Sequence, residues 1–224
     1  MIMIVSNYDG TLLNGKQTLI ENIEAIKEFR KESNLFVIAT ERNFYSIKKE
    51  IELYKIPYDY LICNNGSVIL DNNYNILNYK SINEETLKEI LKYFEMYKMQ
   101  KPTLYDTQGK VHSKKNVVEL SAFFHSTEEF RKFRQFLLDN YPDVCIYKTY
   151  NQIFIRSNCF KDYGIDYICS VLDNKPKEIY TVGNSKKDLE MLKRFKGYLI
   201  YNSYFRDSSL EKCISVKQLI KKVM

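Results

Sequence analysis

The sequence predicts an α/β protein: a doubly wound, Rossmann-like parallel sheet interrupted by a smaller α+β unit. Three observations predict it. Strand-length apolar runs alternate with helical periodicity over the first 63 residues. Between residues 82 and 156 that rhythm gives way to two helices among several short strands. After Phe160 the first rhythm resumes. Strand–helix–strand repeats build parallel sheets because the crossover folds back over the sheet with one hand. The expected division is a core of residues 1–81 and 157–224, with residues 82–156 inserted.

Residues 2–6 are a short apolar strand, and Leu19, Ile20, Ile23, Ile26 and Phe29 then recur at helical spacing. Residues 35–39 read as a second buried strand, 43–54 as a helix and 60–63 as a third strand. A hairpin follows, 68–70 with 76–79, turning through Asp71, Asn72 and Asn73. In the insertion, helices are expected at 84–97 and 127–141. Strands are expected at 103–105, 117–124, 144–150 and 152–156. The returning core reads as helix 163–172, strand 179–182, helix 189–195 and strand 198–201. A last strand at 213–216 and a terminal helix close it.

Composition narrows the function classes. The chain of 224 residues is 45% hydrophobic and 28% charged, as in soluble globular proteins. Its apolar runs are strand-length, too short for a membrane span, and the first residues lack the basic flank of a signal peptide. Cys63, Cys145, Cys159, Cys169 and Cys213 are odd in number and show no C-x-x-C spacing. They read as reduced thiols of a cytoplasmic protein. His112 and His125 lie too far apart to suggest a local metal pair. The net charge of +6 is scattered, clustering only at Lys217, Lys221 and Lys222, so neither nucleic acid nor membrane is an expected partner.

Four segments carry candidate chemistry. Asn7-Tyr8-Asp9-Gly10-Thr11-Leu12-Leu13 follows the first strand and Thr40-Glu41-Arg42 the second. Lys161 opens the helix after the insertion, and Gly183-Asn184-Ser185-Lys186-Lys187-Asp188 follows the strand at 179–182. The carboxyl ends of parallel strands are where open α/β sheets bind ligands. In order and placement the segments resemble the HAD superfamily of aspartate-nucleophile phosphatases. The nearest likeness is to its Cof-like sugar-phosphatase branch, including small archaeal phosphoglycolate phosphatases. Asn65-Gly66-Ser67 before the hairpin and Asn202-Ser203 after the late strand fit that branch.

The resemblance implies a HAD-like core whose α+β cap lies between the second and third motifs. It also implies a small phosphorylated metabolite as partner and Mg²⁺ as cofactor. Position 7 would be the nucleophile and Asp9 the general acid and base. Thr40 and Lys161, with Gly10 and Glu41 beside them, would hold phosphate, and positions 7, 9, 184 and 188 would hold the metal.

Departures from that pattern fall at the centre of the chemistry. The nucleophile position is Asn7, the first acid of the fourth motif is Asn184, and Lys187 and Glu41 replace the usual Asn and Gly. An amide has no ionisable oxygen to form an acyl-phosphate. Mg²⁺ prefers hard carboxylate oxygens, and Lys187 adds a cation whose charge is expected to replace part of the metal's. Two readings stay open. One is a working Mg²⁺-dependent phosphomonoester hydrolase. The other is a binding or regulatory chain that lost turnover, for which a protein partner is expected.

A third reading is a P-loop. Gly10 to Lys16 meets most of that pattern, but Gln17 stands where the metal-binding hydroxyl belongs. In the cap, His112, Lys114, Lys115, Tyr147 and Tyr150 are within the segment that sets substrate choice, though surface or packing roles explain each.

Overall fold

Residues 1–97, 99–111 and 114–224 are described by the computed structural model. Among the described residues, thirteen strands and seven α-helices form two sheets with their helices. The larger sheet has the order β13-β12-β11-β1-β2-β3-β4-β5. Its first six members are all parallel: β13 (Glu211–Cys213), β12 (Lys196–Ile200), β11 (Glu178–Gly183), β1 (Ile2–Asn7), β2 (Leu35–Ala39) and β3 (Tyr60–Cys63). β4 (Val68–Asp71) and β5 (Ile76–Tyr79) extend it antiparallel.

Alternation along β1 explains why two layers of helices are needed. Ile4 points into one apolar cluster and Met3 and Val5 into another, so both faces must be covered. The first cluster is closed by α1 (Lys16–Lys31), α2 (Phe44–Tyr54) and α7 (Val216–Val223), through Leu19, Ile26, Phe29, Ile47 and Leu219. The second is closed by α5 (Lys161–Val171) and α6 (Leu189–Arg194), through Ile165, Ile168 and Met191.

The smaller sheet runs β7 (Lys110–Val111), β6 (Thr103–Tyr105), β8 (Glu119–Phe123), β10 (Gln152–Ser157) and β9 (Val144–Thr149), antiparallel throughout. One face packs Leu120, Ala122, Ile153 and Ile155 against α3 (Glu84–Met96) and α4 (Thr127–Asn140), with Phe94, Phe124 and Phe133 at the centre. The opposite face carries Glu119, Tyr147, Phe154 and Arg156, and it looks toward the larger sheet's strand ends.

Local chemistry sets the boundaries. Asn43, Asn83, Ser126 and Ser215 each accept a hydrogen bond from an amide of the helix they precede. The Ser215 cap also corrects the last expected strand. β13 ends at Cys213, and Val216 already lies in α7. β7 was not foreseen, being two residues long and lacking an apolar run. His112 lies outside the described residues, and no helix among them is long and apolar enough to cross a membrane.

Candidate functional site

Strand register brings the four segments together. Asn7 ends β1 and pairs with Ala39, so Thr40 sits one residue beyond it, just past the end of β2. On the other side Ser6 pairs with Val182, which sets Gly183 and Asn184 at the same level. Lys161, first residue of α5, reaches in from the return of the chain.

At the centre Asn7 is only 6% exposed and its amide is fully used. Its Nδ2 donates to the Asp9 backbone oxygen and to Asn184 Oδ1, both at 2.8 Å. Its Oδ1 accepts from Lys161 Nζ at 3.0 Å. Lys161 also donates to Asp188 Oδ1 at 2.5 Å, in a pair with no more than 1% of either side chain exposed. The second Asp188 oxygen accepts from the amides of Asn184 and Ser185 and from the Ser185 hydroxyl. Those bonds form a capping box that turns Ser185–Asp188 into a short 3₁₀ turn. Thr11 donates to Asn184 Oδ1 at 3.1 Å. Gly10 has φ of 71°, and a Cβ there would lie 2.2 Å from Asn184 Nδ2, so the loop can close this tightly only with glycine.

Asp9 faces elsewhere. Arg42 binds its two carboxylate oxygens at 2.6 and 2.9 Å, and is itself held by Glu50 at 3.0 Å and over the Tyr8 ring. The Asp9 contact holds the Arg42 guanidinium above its usual range. Burial pushes the Tyr8 hydroxyl up, and Glu50 beside it adds to that. Thr40 is fully buried and its hydroxyl accepts from the Arg42 amide at 3.1 Å. Arg42 stands in the second segment, where no local pattern gives it a role.

Lys187 is not where the sequence suggested. Its ammonium pairs with Glu41 Oε2 at 2.5 Å and lies 5.1 Å from the Tyr147 ring centre. The cation that touches Asn7 and Asp188 belongs to Lys161. The 3₁₀ turn explains this: it points Asp188 inward and leaves the Lys187 side chain half exposed.

The cap contributes a buried ion pair that the sequence did not disclose. Arg156 and Glu119 face each other across β10 and β8, 2.5 Å apart and almost fully buried. Arg156 also donates to the Glu41 backbone oxygen at 2.8 Å and contacts the Tyr147 hydroxyl. Glu119 accepts from Asn64 at 3.3 Å. Burial works against the Arg156 charge, but Glu119, Tyr147 and Glu41 together outweigh it and hold the guanidinium above its ordinary value. The sequence signal beside this pair is on β8, where Glu119 and Ser121 alternate with Leu120 and Ala122.

Between cap and core lies a cavity of about 400 Å³, lined among others by Glu41, Asn65, Tyr147, Arg156, Phe160 and Lys187. The Asn65 side-chain oxygen is buried there with no hydrogen-bond partner among the described residues. Of the other cap candidates, Lys114 and Lys115 are exposed and Tyr150 is 92% exposed.

The P-loop reading fails on geometry. The amides of Gly10, Thr11, Leu12 and Leu13 all donate to carbonyls of residues 7, 8 and 13, so none is free to cradle a phosphate. Lys16 is exposed at the start of α1.

The donor set does not fit Mg²⁺. The Asn7, Asn184 and Asp188 oxygens and the Asp9 carbonyl already accept from N–H or O–H groups, and the Asp9 carboxylate is turned to Arg42. Among the described residues no group of three or more His, Cys, Asp or Glu could hold a metal.

The sheet order, the second sheet and the cluster at the strand ends define a cap-bearing, doubly wound α/β protein. The family model of haloacid dehalogenase-like hydrolases matches residues 4–119 and 97–203. The chain belongs to that family. An uncharacterised protein of Mycoplasma capricolum is 26% identical over 171 residues, 69% of this chain and 64% of that protein. A 5-amino-6-(5-phospho-D-ribitylamino)uracil phosphatase of Bacillus subtilis is 33% identical over 87 residues, 38% of this chain and 34% of its own. The matches therefore span less than two thirds of either relative.

Among solved structures, a haloacid dehalogenase-like hydrolase of Bacillus subtilis superposes with a TM-score of 0.78 at 17% identity, over 100% of both chains. A sugar phosphatase of HAD subclass IIB gives 0.72 at 17% identity, over 99% of this chain and 97% of the other. At these identities the likeness is one of fold.

Proposed function

We propose that the chain recognises a small phosphorylated metabolite between its core (residues 1–81 and 157–224) and its cap (residues 82–156), with phosphomonoester hydrolysis weakened or lost. The observation that carries this reading is Asn7. Its amide stands at the nucleophile position and is held on both sides by hydrogen bonds. Loss of the acting residue of a catalytic unit costs on the order of 10⁴–10⁶ in rate. In this reading Thr40 and Lys161 hold phosphoryl oxygens, with Gly10 and Glu41 shaping the loops beside them. The Asn65 oxygen and the charged rim of the cavity meet the rest of the metabolite. Asp9, locked to Arg42, is left without a nucleophile to assist.

The test is phosphate release from a panel of small phosphate esters with Mg²⁺, for wild type, Asn7→Asp and Asn7→Asp/Asn184→Asp. Release is expected from the restored variants alone. Wild-type release above that of a mock-purified control would overturn the reading.

A further inference from the structure

We infer that the NH₂ group of Asn7 occupies the role a divalent cation has at the corresponding positions of the family, so that this site is closed without metal. The amide bridges oxygens of two of the residues assigned to the metal by resemblance. One Nδ2 hydrogen serves the Asp9 carbonyl and the other Asn184 Oδ1, each at 2.8 Å. Its orientation is fixed. Lys161 Nζ can only donate, so it must face Asn7 Oδ1, and the NH₂ is turned toward the two acceptors. Asn184 is oriented by the same logic, because the Asn7 NH₂, once fixed as a donor, requires Asn184 Oδ1 opposite it, and the Thr11 hydroxyl donates to that same oxygen.

Charge and space agree with this assignment. Lys161 and Asp188 cancel and the two amides are neutral, so the buried cluster needs no further cation. Carboxylates at positions 7 and 184 would leave it two charges negative. They would also remove the donors that now satisfy Asp9 O and Asn184 Oδ1. Gly10 is already packed against Asn184, and the Asp188 oxygens take four donors between them. A divalent cation entering the wild-type site would displace N–H groups and lie beside the Lys161 ammonium. The two Asp-to-Asn differences thus act as one: each amide completes the other.

Thermal melting of the full chain, without any ester, tests this separately from turnover. The wild-type midpoint is expected to be the same in EDTA and in millimolar MgCl₂, and calorimetric titration with MgCl₂ is expected to show no binding heat. Asn7→Asp/Asn184→Asp is expected to melt roughly 5–10 °C higher when Mg²⁺ exceeds its dissociation constant about a hundredfold. A double variant that folds only when Mg²⁺ is added supports the assignment equally. If it stays unfolded even then, Asn184→Asp alone carries the comparison. A wild-type midpoint raised by Mg²⁺, or a folded restored variant indifferent to it, overturns the inference.

Discussion

Arg42 grips Asp9 through a two-pronged ion pair at 2.6 and 2.9 Å, yet the Asp9 side chain is 52% exposed. Solvent screens such a pair, and partly exposed pairs are generally worth about 0.2–1 kcal/mol. A double-alanine cycle at positions 42 and 9, followed by urea unfolding, is expected to give a coupling in that range. A coupling of several kcal/mol would show that the pair behaves as a buried one.

Lys161 and Asp188 present the opposite case. Both are buried, and without Asp188 the ammonium would keep only Asn7 Oδ1 as a described acceptor. Asp188→Ala is therefore expected to cost about 3–5 kcal/mol, the usual consequence of stranding a buried charge. It would also open the Ser185–Asp188 turn. Denaturant midpoints measured beside Arg42→Ala check the order. Equal losses would contradict it.

Glu119 anchors the cap's inward face, joining Arg156, Tyr147 and Asn64. Glu119→Leu is expected to destabilise by about 3–5 kcal/mol, since Arg156 would remain charged and buried. Hydrogen exchange should report faster opening in β8 and β10 than in β1. Uniform acceleration across both sheets would argue against a local anchor.

Alkaline pH is expected to destabilise the fold. Burial pushes the Cys159 thiol up to about 11 and the Cys213 thiol up to about 12, from an ordinary value of 9.0. Burial also raises Cys63, Tyr58 and Tyr147. For groups raised in the folded state, the unfolded chain loses its protons first. Their stabilisation is complete below pH of about 9 and is lost as pH climbs toward 11–12. Urea midpoints measured upward from neutral pH should fall across that window, and a flat profile would refute the assignment.

The strands and the loops that follow them were legible because each is a short apolar run closed by a polar or glycine-containing segment. Lys161 was legible as the first polar residue of a returning helix. Relations that depend on register or turn geometry were not. Arg156 and Glu119 meet only because β10 and β8 pair as they do, 37 positions apart. Lys187 adjoins Asp188 in sequence, which suggested a shared location, but a 3₁₀ turn sends the two side chains in different directions. Arg42 reaches Asp9 across 33 residues from the loop between β2 and α2, a meeting set by the β1–β2 register.

The position of β1 between β2 and β11 has a kinetic consequence. One flank is met by residues 35–39, the other by residues 178–183, and the bonds from Asn7 to Lys161 and Asn184 span 154 and 177 positions. Pairings so distant in sequence close slowly. During synthesis β1 can acquire its first neighbour early, but its second edge stays bare until the last third of the chain has emerged. Over that interval a largely apolar strand, with one edge unpaired, is a template for wrong partners.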